Sequence, residues 1–401
     1  VIRVEFLTKV PAKEVFHRIA TLQESLQQEN VDAALLTQNV DLFYYSGSMQ
    51  NGLLYVPVNA DPIFFVKKSI VRAKEESPLE IQPLERMRTL LERIIARYGR
   101  KPSMLGIEAD VIPYQLGLRY QQLLDTVITD ISPLIRQQRA VKSIFEQEKI
   151  SQAAKLVDEV VQRVPSWLYV GMTEVELAAK IEHYLRVRGN INLNRMRSYN
   201  QELSLGMIAA GSAAATPTYF DGPAGGLGLT VASPQGASMR PIAENEPILL
   251  DFSTVVEGYM VDQTRIAVIG ELDKELRYAY QWAQKILREV EQLGKPGVSW
   301  ESLYHRALQM VEQAGLSEYF MGYGADQAKF LGHGVGLEID ELPILANRFS
   351  KPLEENMVLA IEPKFTFPGK GVVGLENTYV VQTDGLHSLS LSSEEIIQVI
   401  S

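Results

Sequence analysis

Asp251 and Asp262 stand inside apolar, β-branched runs in the stretch PILLDFSTVVEGYMVDQTRIAVIG, a composition that predicts two strands. Glu257-Gly258 between them suits a two-residue hairpin turn. That turn sets Val256 against Tyr259, Ser253 against Asp262 and Asp251 against Thr264. Both aspartates then lie on one face as diagonal neighbours, with Cβ atoms roughly 7 Å apart or less. A second hairpin is expected in ENMVLAIEPKFTFPGKGVVGLENTYVVQ, bending at Pro368-Gly369-Lys370. A three-residue loop centred on Gly369 puts Glu362 directly opposite Glu376, and like charges in direct cross-strand pairing repel.

Two hairpins that each pair carboxylates in apolar surroundings call for a shared cation, because desolvating such charges without a counter-ion is costly. His333 offers an imidazole to the same centre from FLGHGVGLEIDELP, where Gly332, Gly334 and Gly336 leave room for close backbone approach to a ligand. The sequence has no cysteine and only five histidines, so a metal site here is built from carboxylate and imidazole. Four carboxylates and one imidazole suit two divalent ions such as Mn, Co, Fe or Zn, held roughly 3.5 Å apart.

The elements that must position these residues fall into two parts, as expected for 401 residues. Residues 12–29 have the pattern of an amphipathic helix. Short apolar runs follow, DAALLTQ, GLLYVPV, DPIFFVKK and, after a helix near 84–98, SMLGIEAD. Strands alternating with helices predict a compact α/β domain. Residues 126–143 form the crossing into the second part, and a long helix is expected over 144–164. Beyond it, Gly171, Thr173, Leu177 and Gly189 recur at a constant offset as Gly297, Ser299, Leu303 and Gly315. Each set reads as a capped helix that stops at glycine, so a duplicated α-plus-β half with a cleft between the copies is expected. The Gly- and Ala-rich run 211–236 neither follows a clear strand nor opens a helix, so it is read as loop and not as a phosphate-binding turn.

A formal charge of −10 without a basic tract argues against nucleic acid and anionic membranes as partners. No apolar run has the length of a bilayer span, and the beginning of the sequence lacks the pattern of a signal peptide, so a cytoplasmic location is expected.

The order Asp251, Asp262, His333, Glu362, Glu376 resembles the pita-bread metallohydrolases: prolidase, aminopeptidase P, methionine aminopeptidase and the metal-free creatinase. The resemblance is carried by LLDFSTVVEGYMVDQTR, LGHGVGLEIDELP, LAIEP and GLENTYVV, and it extends back to RQQRAVKSIFEQEKI. It implies a creatinase-like α/β N-terminal domain over 1–135 and an α+β pita-bread catalytic domain of duplicated halves over 136–401. It further implies that the five residues bind two divalent ions, that Glu362 shuttles the proton, and that a short peptide is cut after its N-terminal residue by a homodimer. Thr264 and Asn377 are the candidates for orienting the carboxylates. The sequence departs from the pattern in three places. Asp340 replaces the histidine of a His-Glu-x-Pro motif, Thr218 follows Thr216-Pro217 where another histidine is expected, and Gly374 stands where the proline-specific enzymes commonly carry arginine. Loss of one donor to a tetrahedral intermediate typically costs ~100-fold in rate. Asp340, if protonated by its neighbours' charge, would supply such a donor. Two other readings follow from these departures: a metal-binding homologue without catalysis, and a creatinase-like hydrolase of a non-peptide C–N bond.

Overall fold

The computed structural model describes residues 8–400. Its contacts divide the chain into two compact units, 1–139 and 140–401. In the first, α1 (Ala12–Gln28), β1 (Ala33–Leu36), α2 (Asn39–Ser46), β2 (Gly52–Pro57), β3 (Ile63–Val66), α3 (Ile70–Glu76) and β4 (Glu80–Pro83) are followed by α4 (Leu90–Tyr98), β5 (Met104–Ile107), α5 (Tyr114–Leu124), β6 (Val127–Asp130) and α6 (Ser132–Ala140). The strands form one mixed sheet in the order β4-β3-β2-β1-β5-β6. Strands such as IFFV are buried throughout, as expected for a sheet covered on both faces. The buried charges of this unit are paired within it. The Glu108 carboxylate accepts from the backbone N–H of Thr37 at 2.8 Å, and Arg139 meets Asp41 at 2.8 Å.

The second unit begins with α7 (Ile144–Trp167), capped by Ser143 and Glu146 in a reciprocal box. It continues through α8 (Glu174–Arg186), β7 (Gly206–Ala210), β8 (Ile248–Val256), β9 (Tyr259–Ile269), α9 (Lys274–Leu293), α10 (Trp300–Ala314), β10 (Phe330–Gly334) and β11 (Glu341–Ala346). The last part holds β12 (Val358–Ile361), β13 (Lys364–Phe367), β14 (Gly371–Gly374), β15 (Asn377–Gln382), β16 (Gly385–Ser388) and β17 (Ile397–Val399). The strands assemble as β17-β9-β8-β7, β11-β10-β12-β15-β16 and the short pair β13-β14.

The recurring helix has its glycines and N-cap residue at matching positions in both copies, although Thr173 forms a capping box with Glu176 and Ser299 makes no side-chain cap bond. Gly171 and Gly297 adopt φ of +89° and +91°, the glycines that end each helix region, Gly189 and Gly315, are also left-handed, and Thr173 and Ser299 form the N-caps. Thr173 then bridges to Pro241 and Ser299 to Pro352, so each cap is tied to a following chain segment in the same way. The apolar faces of α9 and α10, including Tyr280, Ile286, Trp300 and Leu303, pack into one core with Leu249, Ile266, Leu359 and Val373 of the sheets. In the first hairpin the core residues Leu249 and Ile266 pair two residues from Asp251 and Thr264, so apolar core and carboxylate share one face of that hairpin.

Candidate metal centre

The first hairpin has the register read from its turn. Asp251 pairs with Thr264, Ser253 with Asp262 and Val256 with Tyr259. Glu257 and Gly258 both have positive φ, 51° and 95°, the pair of conformations that a type I′ turn needs. In the second hairpin Ile361 pairs with Asn377 and Lys364 with Gly374, which sets Glu362 against Glu376 between the two ladders. Pro363 has no N–H to give, so the ladder is interrupted just where the two glutamates stand. At the tip, Gly369 has φ +76° and the Lys370 N–H returns to Phe367 O at 3.0 Å, a turn with proline first and glycine second. Thr264 and Glu376 exchange backbone contacts at 3.3 Å in both directions, and this bridge brings the hairpins together.

His333 arrives from β10, paired with Ala360 on one side and Ile344 on the other. Its flanking glycines make room for neighbouring strands and not for a ligand. A Cβ on Gly332 would lie 2.2 Å from Ala360 O, and one on Gly334 would lie 2.0 Å from Leu342 O.

All five expected donors therefore converge, but they are sorted into two groups by a residue that the sequence reading passed over. Lys364 is 1% exposed, and its Nζ donates to Asp251 Oδ2 at 3.0 Å, Glu362 Oε2 at 2.7 Å and Glu376 Oε2 at 2.8 Å. An ammonium has three protons, and each has a carboxylate here. The second group is Asp262, His333 and Glu376, which offer ligand atoms all within 4.8 Å of one another. His333 Nε2 also lies 3.4 Å from Glu362 Oε1. Glu376 belongs to both groups. Its Oε2 accepts from Lys364 and from Thr264 Oγ1 at 2.9 Å, whereas its Oε1 is buried and has no hydrogen-bond partner among the described residues.

The electrostatics follow from that arrangement. Burial raises the pKa of Asp262 well above the usual aspartate range, and the neighbouring Glu376 and Asp251 charges push the same way. Burial also raises Asp251, against the opposing pull of Lys364. For Glu362 burial is outweighed by Lys364 and His333, and its pKa is lowered. Burial alone would lower His333, but the Glu362 hydrogen bond and the surrounding carboxylates carry it up to about 10. Burial and neighbouring carboxylates oppose charge on Asp262 and favour it on His333, so the centre favours added positive charge. A buried carboxylate oxygen without a donor, beside a second carboxylate and an imidazole, fits a divalent ion.

The remaining candidates are placed as follows. Thr264 orients Glu376 directly, as expected. Asn377 does not touch a donor carboxylate: its Oδ1 accepts from Arg265 at 2.8 Å and its Nδ2 reaches Glu394 at 2.8 Å and Tyr379 at 3.1 Å. Adjacent strand residues face opposite sides, so Asn377 must turn away from the face that carries Glu376. Asp340 accepts from the backbone N–H groups of Arg197 and Ser198, both at 2.8 Å, and from Ser198 Oγ at 2.6 Å. Both of its oxygens act as acceptors, so these contacts hold the backbone at 197–198. Its neighbour Glu341 accepts from Leu337 N at 2.8 Å and meets the buried Lys142 at 2.9 Å, which ties the start of the unit to the strand after His333. Thr216, Pro217 and Thr366 border a cavity of about 130 Å³, and Thr366 Oγ1 donates to Pro223 O across it at 2.6 Å.

Comparison with known proteins gives this geometry a relationship. The chain is 24% identical over 383 residues to a protein named Xaa-Pro dipeptidase from Pyrococcus furiosus, covering 95% of this chain and 99% of that one. It is 28% identical over 383 residues to an uncharacterized peptidase from Staphylococcus epidermidis, covering 93% and 98%. Among solved structures, an Xaa-Pro dipeptidase from Bacillus anthracis superposes with a TM-score of 0.82 at 23% identity, covering 96% of this chain and 100% of that one. A prolidase from Pyrococcus horikoshii gives 0.79 at 23% identity, covering 95% and 100%. These structures share the fold of this chain over nearly its whole length. Residues 18–141 match the creatinase/prolidase N-terminal domain, and residues 148–383, more than half of the chain, match metallopeptidase family M24. The chain belongs to metallopeptidase family M24.

Proposed function

We propose that this chain is a metal-dependent hydrolase that cuts short peptides after their N-terminal residue, with Xaa-Pro dipeptides as its substrate class. The observation that carries the reading is the buried Oε1 of Glu376, which has no hydrogen-bond partner among the described residues and lies near Asp262 and His333. The relatives named as Xaa-Pro dipeptidases support the substrate class.

Asp262, His333 and Glu376 would hold an ion directly, with Asp251 and Glu362 completing the five-donor set. Whether the pair of ions expected from five donors can enter depends on Lys364. A bound divalent ion supplies Lewis-acid polarisation and lowers the pKa of water toward neutrality. Glu362 is the proton carrier of the proposal. Its Oε2 is pinned by Lys364, so its Oε1, on the His333 side, is presented in a fixed position. It takes the proton released as water oxygen bonds to the peptide carbonyl carbon and delivers it to the amine nitrogen as the C–N bond breaks. Thr264 keeps Glu376 from rotating. Asp340 acts as a positioning residue that fastens the backbone at 197–198. A homodimer is part of the same proposal.

The test is hydrolysis of an Xaa-Pro dipeptide in added Mn or Co, with and without chelator. Metal-dependent turnover that falls by at least ~100-fold in Glu362→Gln is expected. Metal binding without turnover on any short peptide would favour the non-catalytic homologue.

A further inference from the structure

We propose that Lys364 is a built-in second cation: its ammonium takes the position among Asp251, Glu362 and Glu376 that a second ion would hold, so the loaded protein carries one divalent ion, at Asp262, His333 and Glu376. The inference rests on reading the chain as a metal-dependent hydrolase and concerns the composition of its centre.

Three observations carry it. Lys364 Nζ spends all three of its protons on the three carboxylates, at 2.7 to 3.0 Å, and none is directed elsewhere. A divalent ion bonded to those same oxygens would sit roughly 2.0–2.2 Å from each, inside the space that Nζ fills. Ammonium and ion are therefore alternatives at that point. Second, Glu376 is divided between the two groups. Its Oε2 is fully engaged by Lys364 and Thr264, and its Oε1, with no hydrogen-bond partner among the described residues and 3.9 Å from His333 Nε2, is left for Asp262 and His333. Two-ion binding would require Oε2 to exchange the ammonium for a metal; one-ion binding requires no rearrangement of it.

Third, the lysine is built in. It lies on β13 two residues after Glu362, which puts both side chains on one face, and it pairs across the hairpin with Gly374. A Cβ at 374 would stand 2.6 Å from Lys364 Cα and 2.8 Å from its Cγ. The absence of a side chain opposite is what admits the lysine stem, and at 1% exposure the amine has no route to solvent without displacing its neighbours. The chain thus has a positive charge in the centre that no chelator removes.

The experiment uses the full chain, saturated with Mn(II) and freed of excess, and reads metal content by elemental analysis together with the Mn(II) electron paramagnetic resonance spectrum. Wild type is expected to hold about one ion per chain and to show the hyperfine pattern of an isolated Mn(II). Lys364→Ala is expected to hold about two, a roughly twofold rise, with the spectrum of a spin-coupled pair. Two coupled ions in the wild type would overturn the inference and leave the hydrolase reading standing. One ion in both proteins would also overturn it, because Lys364 would not be what excludes the second. No ion in wild type at any supply would overturn the metal-hydrolase reading itself. Should Lys364→Ala fail to fold, the wild-type spectrum decides alone: an isolated ion supports the inference and a coupled pair refutes it.

Discussion

Thr264→Val removes one hydroxyl from the centre at nearly constant volume and is expected to weaken metal binding. Thr264 is fully buried, and its Oγ1 donates at 2.9 Å to Glu376 Oε2. A hydrogen bond to a charged acceptor contributes about 1.5–3 kcal/mol. Without it, Glu376 is held only by Lys364 and can rotate about that contact, so Oε1 is no longer pre-aimed at Asp262 and His333. If most of that energy serves orientation, affinity falls ~10- to 100-fold, the range seen when groups behind metal ligands are removed. Mn affinity would be measured by competition with a chelator of known strength. Asn377→Ala is the matched control. The two residues flank the same strand crossing, but Asn377 serves Arg265 and Glu394. It should lower thermal stability while leaving Mn affinity within about twofold of wild type, and Thr264→Ser should restore binding. Unchanged affinity in Thr264→Val, or equal losses in both variants, would refute the orientation argument.

Two further outcomes test how the frame holds the centre. Lys142→Met removes the buried lysine charge paired at 2.9 Å with Glu341, which is 6% exposed, and should lower unfolding free energy by about 3–5 kcal/mol in denaturant titration. Gly369→Ala should cost about 1–2 kcal/mol through backbone conformation alone, because a Cβ there meets nothing within 4 Å while φ stays at +76°; metal content should not change.

The hairpin registers were legible in the sequence because alternation and turn chemistry are local. Once Glu257-Gly258 and Gly369 are taken as bends, the cross-strand partners follow by counting, and the structure has Asp251 opposite Thr264 and Glu362 against Glu376 as counted. The repeated helix was legible for the same reason, since caps and left-handed glycines are written in single residues. What was misread came from failing to apply the same period to neighbours. Asn377 follows Glu376 immediately and so faces the other side of the strand. Lys364 follows Glu362 by two and so shares its face, yet a lysine between Pro363 and Phe365 reads as solvated until its cross-strand partner is seen to be glycine. The roles of Gly332 and Gly334 were not readable, because Ala360 O and Leu342 O approach them from segments brought near only by the tertiary fold. Likewise Asp340 shows nothing in sequence of its bond to the 197–198 backbone, more than a hundred residues away.

One departure from the family's sequence pattern is connected by this geometry to the buried lysine. Gly374 taken alone is a missing arginine, and Lys364 taken alone is an extra charge in a buried strand. Across the hairpin they are one feature. Any side chain at 374 begins with a Cβ 2.5 Å from Pro363 O and 2.6 Å from Lys364 Cα, so this backbone cannot keep its spacing and carry arginine there. The glycine, in turn, leaves an open strip over which the lysine stem runs to reach Asp251, Glu362 and Glu376. Glycine at 374 and the ammonium among the carboxylates are thus parts of one arrangement. A double substitution restoring arginine at 374 while shortening Lys364 would still meet the Pro363 carbonyl. On the proposed one-ion reading, the composition of the centre is set by the close spacing of β13 and β14 as much as by the five donors themselves.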